Sequence, residues 1–348
     1  MTPDRKPSLK GAGGLRKRAR GLSAGELCSY GTPETGGSLP LVVRPVLEGV
    51  DLAAWLRQNR SAIAERLLQN GGLLFRGFEI GSAERFQQCI ESFSSELLDY
   101  TYRSTPRTRV SDKIFTSTEY PADQEIPQHN EMAYARSWPL RLWLHCRIPA
   151  RQGGQTPLAD SRRVTARISP ATRRRFSERG VTYVRNYGPG LDLPWPEVFQ
   201  TEDRNQVEEQ CREAGLQFEW HAGDRLTTRQ VCQGMTRHPQ TGEEVWFNQA
   251  HLFHVSSLDP GVRDLLLSRF SESGLPRNAL YGDGSPIEPE VLDEIRTAFS
   301  EETVAFDWER EDVLLLDNVL ASHGRTKYQG PRSILVGMTD LCREGSLA

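Results

Sequence analysis

The stretch Asp312-Val-Leu-Leu-Leu-Asp317-Asn318-Val-Leu-Ala-Ser-His323-Gly324-Arg325 decides how the rest of this 348-residue chain is read. Its first half is a short apolar run that reads as a strand. The second half turns polar and ends on a histidine followed by glycine, a residue that lets the backbone turn sharply and lie close to a ligand. Nine residues past His323, Gly330-Pro331-Arg332 opens another apolar strand, Ile334-Leu335-Val336. Arginine at a strand entrance offers a planar fork that suits a carboxylate.

Working outward, strand candidates accumulate over 41–43, 140–148, 156–160, 180–187, 216–220, 244–248, 302–308, 312–317 and 333–340. Helical signals are concentrated early. Leu52, Leu56, Ile63 and Leu67 fall on one helical face, and Gly71-Gly72 stops that helix before the buried strand Leu73–Phe78. Ser82 caps a helix reaching about Leu98, and Ser169-Pro170 opens one that ends near Gly180. The turn Arg237-His238-Pro239-Gln240-Thr241-Gly242 joins two strand-like runs as a hairpin. A few helices followed by many short strands predict a mainly β fold with flanking α-helices, a barrel or sandwich and not a doubly wound α/β sheet.

Composition narrows the class. A net charge of −3 with 37% hydrophobic residues describes a globular protein, and no run approaches the roughly 18–20 apolar residues of a membrane span. The balance also argues against a chain built mainly to hold nucleic acid. Residues 1–20 carry seven basic residues and one acid, so residues 1–25 are expected to be a basic, disordered arm. The six cysteines form no CxxC pair, and with no apolar leader they read as buried or free thiols in a reducing cytoplasm. GxGxxG after a strand, GxxxxGK[ST], GxSxG and HExxH are all absent.

One chemical constellation remains. His129-Asn130-Glu131 places a carboxylate two residues after a histidine, a pairing that chance alone supplies about once in this composition. On a strand, positions i and i+2 share a face, so the two side chains can converge on one metal ion. An imidazole and a carboxylate are two donors of the facial site of non-haem Fe(II) oxygenases, and a distant histidine must supply the third. His251 and His254 form a competing pair, but no nearby carboxylate completes a set, so they are assigned structural roles. Asn248, Gln249 and Arg136 are candidate substrate contacts, Arg136 for a substrate carboxylate.

The segments Leu73–Phe78 (LLFRGF), 127–134 (PQHNEMAY), 153–160 (GGQTPLAD) and 312–332 (DVLLLDNVLASHGRTKYQGPR) resemble the taurine/2-oxoglutarate dioxygenase (TauD/TfdA) family. Within it the chain is most similar to the clavaminate synthase-like branch and the syringomycin-biosynthesis aspartyl hydroxylase-like enzymes. The resemblance spans roughly residues 40–340. It implies a double-stranded β-helix (jelly-roll) core, with residues 26–348 forming one dioxygenase domain with helical insertions. It also implies Fe(II), 2-oxoglutarate and O2 as cofactor and co-substrates. His129, Glu131 and His323 match the iron ligands. Arg332 matches the clamp on the distal carboxylate of 2-oxoglutarate, and Thr156 the threonine that assists it.

The chain has Glu131 where many members carry aspartate, as the amino-acid-hydroxylating branch does, and any carboxylate there argues against the halogenase variants. The implied activity is hydroxylation of an unactivated carbon of an amino acid, free or tethered to a peptidyl carrier protein, in antibiotic biosynthesis. Desaturation or oxidative cyclisation by the same chemistry is the first alternative. A non-catalytic binding protein on the same fold is the second, and a nucleic-acid-directed protein acting through the basic arm the third.

Overall fold

The computed structural model describes residues 24–33, 36–94, 96–99, 108–111, 113–117, 120–188 and 193–345. The basic arm expected over residues 1–25 lies almost wholly outside them. At the centre is the strand Val313–Asp317, antiparallel to Gly72–Phe75 on one side and to Ser137–Ile148 on the other. Ser137–Ile148 pairs in turn with Ser333–Arg343 along most of its length. Cys28–Gly31 and Leu41–Pro45 extend this sheet at one edge, and Ile114–Thr116 and Arg109–Ser111 at the other, giving eight strands.

The apolar run of Val313–Asp317 follows from burial on both faces. Leu314 and Leu316 pack with Leu142, Leu144, Ile334 and Val336, while Val313 and Leu315 pack on the opposite face with Trp143, Leu335, Trp55 and Phe86. With period-2 alternation, a strand covered on both sides has no position left for a polar residue. Helices Leu52–Gln58, Arg60–Asn70 and Ala83–Phe93 cover the second face. The first face looks toward a small sheet in which Ala321–Arg325 lies between Ile126–His129 and Leu158–Asp160. A four-stranded sheet, Gln217–His221, Arg225–Cys232, Val181–Tyr187 and Arg277–Tyr281, stands beside these.

Several elements differ from expectation, each for a local reason. The helix expected over 52–68 is two helices broken at Asn59, whose side-chain amide donates to the Trp55 carbonyl and so competes with the helical ladder. The helix opened by Ser82 ends at Phe93, short of Leu98. No strand forms over 302–308. The helix Pro289–Glu302 occupies its start, and the alternation of Val304, Phe306 and Trp308 is real but meets a ladder partner only at Leu158. Helices Arg204–Ala214 and Pro260–Arg269 are also additions to the sequence reading. Helix and strand therefore share the chain, with strands less dominant than expected.

Other expectations hold. The hairpin joins Met235–Arg237 to Glu244–Trp246, and Gly71 takes the left-handed conformation that ends a helix. All six cysteines are buried free thiols, and burial pushes those of Cys28, Cys89, Cys146 and Cys211 up to about 12. Among the described residues, no helix is long and apolar enough to cross a membrane.

Candidate metal centre

The small sheet brings the two histidines together. Ile126–His129 and Ala321–Arg325 run antiparallel with His129 directly opposite His323. Opposed residues of an antiparallel pair project from one face with their Cβ atoms close, and the two ring centroids lie 4.4 Å apart. His129 Nδ1 sits 2.9 Å from the Pro127 carbonyl. A carbonyl only accepts, so Nδ1 carries the hydrogen and Nε2 the lone pair, the arrangement a metal-binding imidazole needs. His323 is on a strand and not, as its sequence context suggested, at the end of a polar turn. Gly324 beside it is required by packing, since a Cβ there would lie 2.6 Å from the Ile126 carbonyl oxygen.

Glu131 arrives differently from the strand geometry expected of it. The strand stops at His129, and Glu131 lies in a turn whose next residue, Met132, has φ 58°. Glu131 therefore reaches the side of the histidines from a turn and not from the pleat of a strand. Its Oε2 is 4.0 Å from His323 Nε2, and ligand atoms of His129, Glu131 and His323 all lie within 4.8 Å of one another. Two imidazole nitrogens and one carboxylate oxygen on one face are the donors that Fe(II) takes while keeping positions open. The residues present fit the metal. Among the described residues no other such cluster occurs.

A cavity runs from these donors between the two sheets. Leu142, Leu144, Ile334 and Val336 form its apolar wall, and Ser117, Thr156, Arg325 and Arg332 its polar end. Arg332 Nε donates to the Gly154 carbonyl at 3.0 Å, and its Nη1 lies 3.5 Å from Ser117 Oγ. Among the described residues neither Arg325 nor Arg332 has a carboxylate within ion-pair distance. Burial, reinforced by neighbouring Arg325, lowers the Arg332 guanidinium to about 10. It stays protonated at neutral pH, and the cavity end is cationic. Gly154 makes this placement possible: at φ 70°, a Cβ would fall 3.0 Å from Arg332 Cδ and 2.9 Å from Ala150 Cβ. Thr156 lines the same end, and its Oγ1 accepts a hydrogen bond from Trp308 Nε1 at 3.0 Å.

The expected substrate contacts are not brought to this cavity. Arg136 is exposed and paired with Glu344 at 2.8 Å. Asn248 is fully buried, donating to the Gly234 carbonyl at 2.6 Å and accepting from the Ala250 N–H at 3.0 Å. Gln249 instead donates to the Asn130 carbonyl at 2.7 Å, supporting the turn that carries Glu131. His251 and His254 are structural, as expected. His251 stacks on Phe299 and burial lowers it to about 4, while His254 Nδ1 accepts from the Ser256 N–H.

Four contributors escaped the sequence reading. Asn318 bonds both peptide groups of Glu131. His238 reaches Asp317 at 2.9 Å from the hairpin turn. Trp308 holds Thr156. Arg325 straps the cavity by donating to the carbonyls of Tyr120, Pro121 and Gln124. None carries a signal in its own neighbourhood, because each acts on a partner remote in the chain.

A two-histidine, one-carboxylate face at one end of a cavity and, at the other, a buried cation with no carboxylate partner among the described residues define a mononuclear metal enzyme that takes a carboxylate co-substrate. The chain belongs to the taurine catabolism dioxygenase TauD, TfdA family, which it matches over residues 37–339. It is therefore an Fe(II)/2-oxoglutarate-dependent dioxygenase. It is 40% identical over 278 residues to the dapdiamide synthesis protein DdaC of Enterobacter agglomerans, covering 80% of this chain and 84% of that one. A clavaminate synthase-like protein of Arabidopsis thaliana is 32% identical over 283 residues, covering 78% and 82%. Among solved structures, PvcB of Pseudomonas aeruginosa superposes with a TM-score of 0.53 at 15% identity, covering 90% of each chain. A taurine dioxygenase of Burkholderia xenovorans gives 0.53 at 16%, covering 90% of this chain and 89% of that one.

Proposed function

We propose that this protein hydroxylates an unactivated carbon of an amino acid, free or held on a peptidyl carrier protein, in the biosynthesis of a natural product. In this reading His129, Glu131 and His323 hold the iron, while Arg332, assisted by Thr156, holds the distal carboxylate of 2-oxoglutarate. The carrying observation is that the three donors and Arg332, which has no carboxylate partner among the described residues, line one cavity. Bound iron would supply the oxidising power, drawn from O2 as 2-oxoglutarate is converted to succinate and carbon dioxide.

The chain's own residues bind, orient and exclude. Arg332 fixes one end of the co-substrate with a directional cation already stripped of water. Leu142, Leu144, Ile334 and Val336 keep the space between cation and donors apolar, so the oxidising step is shielded from solvent. The core is read as a double-stranded β-helix, supported by the two facing sheets and by the likeness to PvcB. We further propose that residues 26–348 form one domain, with residues 1–25 a dispensable arm, and that the protein works in the cytoplasm, where ferrous iron and 2-oxoglutarate are supplied. The name of the dapdiamide synthesis relative supports a biosynthetic role.

The test is anaerobic titration of Fe(II) and 2-oxoglutarate with a panel of amino acids, free and carrier-bound. The true substrate perturbs the visible charge-transfer band and, on exposure to O2, gains one oxygen in mass. Loss of two hydrogens would replace hydroxylation with desaturation or ring closure. Failure of every candidate to stimulate succinate formation would overturn the amino-acid reading.

A further inference from the structure

We propose that Asn318 is the positioning residue that sets Glu131 at the metal centre, acting through the ligand's peptide groups; this rests on the ligand set proposed above. Glu131 belongs to no strand ladder, since Ile126–His129 ends two residues before it and Met132 turns left-handed after it. Its peptide N–H and carbonyl, both buried, need partners from elsewhere. One side chain supplies them. Asn318 Oδ1 accepts from the Glu131 N–H at 2.7 Å, and Asn318 Nδ2 donates to the Glu131 carbonyl at 2.9 Å. The second Nδ2 hydrogen goes to the Pro139 carbonyl at 2.8 Å.

The carboxamide thus does for Glu131 what a neighbouring strand does for a paired residue, offering one donor and one acceptor side by side. A primary amide carries an acceptor and two N–H donors on adjacent atoms, which the three bonds use, and glutamine would place them one methylene too far. The clamp is itself anchored. The Asn318 N–H donates to the Leu140 carbonyl, and the Asn318 carbonyl accepts from Asn130 Nδ2. Just before it, Asp317 accepts from the Val319 and Leu320 N–H groups and meets His238 at 2.9 Å, fixing the turn in which Asn318 stands. Asn318 does not line the cavity. Its action on the metal passes through Glu131.

The test uses Co(II) as a spectroscopic probe on the full-length protein, without O2 or co-substrate. Asn318→Asp keeps the acceptor and the size but removes both donors. It is expected to weaken Co(II) at least tenfold and to shift the d–d spectrum toward that of Glu131→Ala, a magnitude usual for groups that orient metal ligands. Val207→Ala is the control for structural damage, since it opens a cavity in the separate core around Tyr187 and Trp195, away from the cavity and from Asn318. It should lower the melting temperature of the metal-free protein yet change Co(II) affinity less than twofold. Wild-type affinity and spectrum in Asn318→Asp would overturn the proposal, as would a loss that merely tracks melting temperature across Asn318→Asp, Asn318→Ala and Val207→Ala. Retention of Co(II) by Glu131→Ala would instead remove the ligand set itself. Loss in Glu131→Ala with none in Asn318→Asp removes only the positioning role.

Discussion

In the proposed reading, a single side chain, Arg332, sets the co-substrate preference. Its charge is buried, crowded by Arg325, and without a carboxylate among the described residues, so a dicarboxylate held there as proposed would relieve an unfavourable cation. Arg332→Ala should raise the KM for 2-oxoglutarate by about 30-fold or more, the scale of removing one member of a buried, hydrogen-bonded charge pair. Metal affinity measured without co-substrate should not move. The lowered guanidinium adds a pH test. With a native value near 10, well below the ordinary guanidinium value, the side chain is protonated through neutrality, and the cost of burying it fades only as pH rises past about 10. Affinity for 2-oxoglutarate should therefore be flat with respect to Arg332 from pH 7 to 9 and fall as pH climbs through about 10. Calorimetric titration across that range, beside Arg332→Lys, checks it.

At the scale of elements, the centre depends on how closely two short strands approach. Gly324 has no room for a Cβ because the Ile126 carbonyl oxygen would lie 2.6 Å from it, and backbone cannot step aside as a flexible side chain can. Gly324→Ala should push Ile126–His129 away from Ala321–Arg325 and unpair His129 from His323. Metal affinity should fall more than tenfold in a protein that still folds, because the large sheet is untouched; circular dichroism and a Co(II) titration together decide it. The pairing itself was legible only in part. His129, Glu131, His323 and Arg332 could be picked out because the segments that carry them resemble a known family; the His129–Glu131 spacing alone is one that chance supplies about once. The strand Val313–Asp317 could be read because burial on both faces forces an unbroken apolar run. The turn at Met132 could not, since a left-handed methionine has no sequence mark. Arg136 was misplaced because a cation close in sequence to a ligand looks like a neighbour in space, and the chain reversal carries it out to Glu344. The strand expected at 302–308 failed because alternation shows which side chains face inward and not whether a partner strand exists.

Across the whole molecule, the proposed ligand set joins segments far apart in the chain: residues 129–131 from its first half and His323 near its end. A bound ion is then a further cross-link between these segments, beside the small sheet and the Asn318 hydrogen bonds, and its binding must appear in global stability. The three proposed donors all lie outside residues 1–25, so removing that arm should leave the coupling intact. A ligand that binds the native state alone stabilises it by about 2.7 kcal/mol at a hundredfold excess over its dissociation constant. For a chain of 348 residues, with an unfolding entropy of about 2 cal/mol/K per residue, that corresponds to a rise of about 4 °C in Tm. Mn(II), which takes the same donors without turning over, should produce this shift in the wild type, and 2-oxoglutarate should add to it. In His129→Ala or Glu131→Ala the shift should vanish, while in Arg332→Ala the Mn(II) increment should survive and the 2-oxoglutarate increment disappear. A thermal scan of these four proteins, with a chelator control, separates the donors from the clamp. An undiminished Mn(II) shift in Glu131→Ala would place the metal elsewhere.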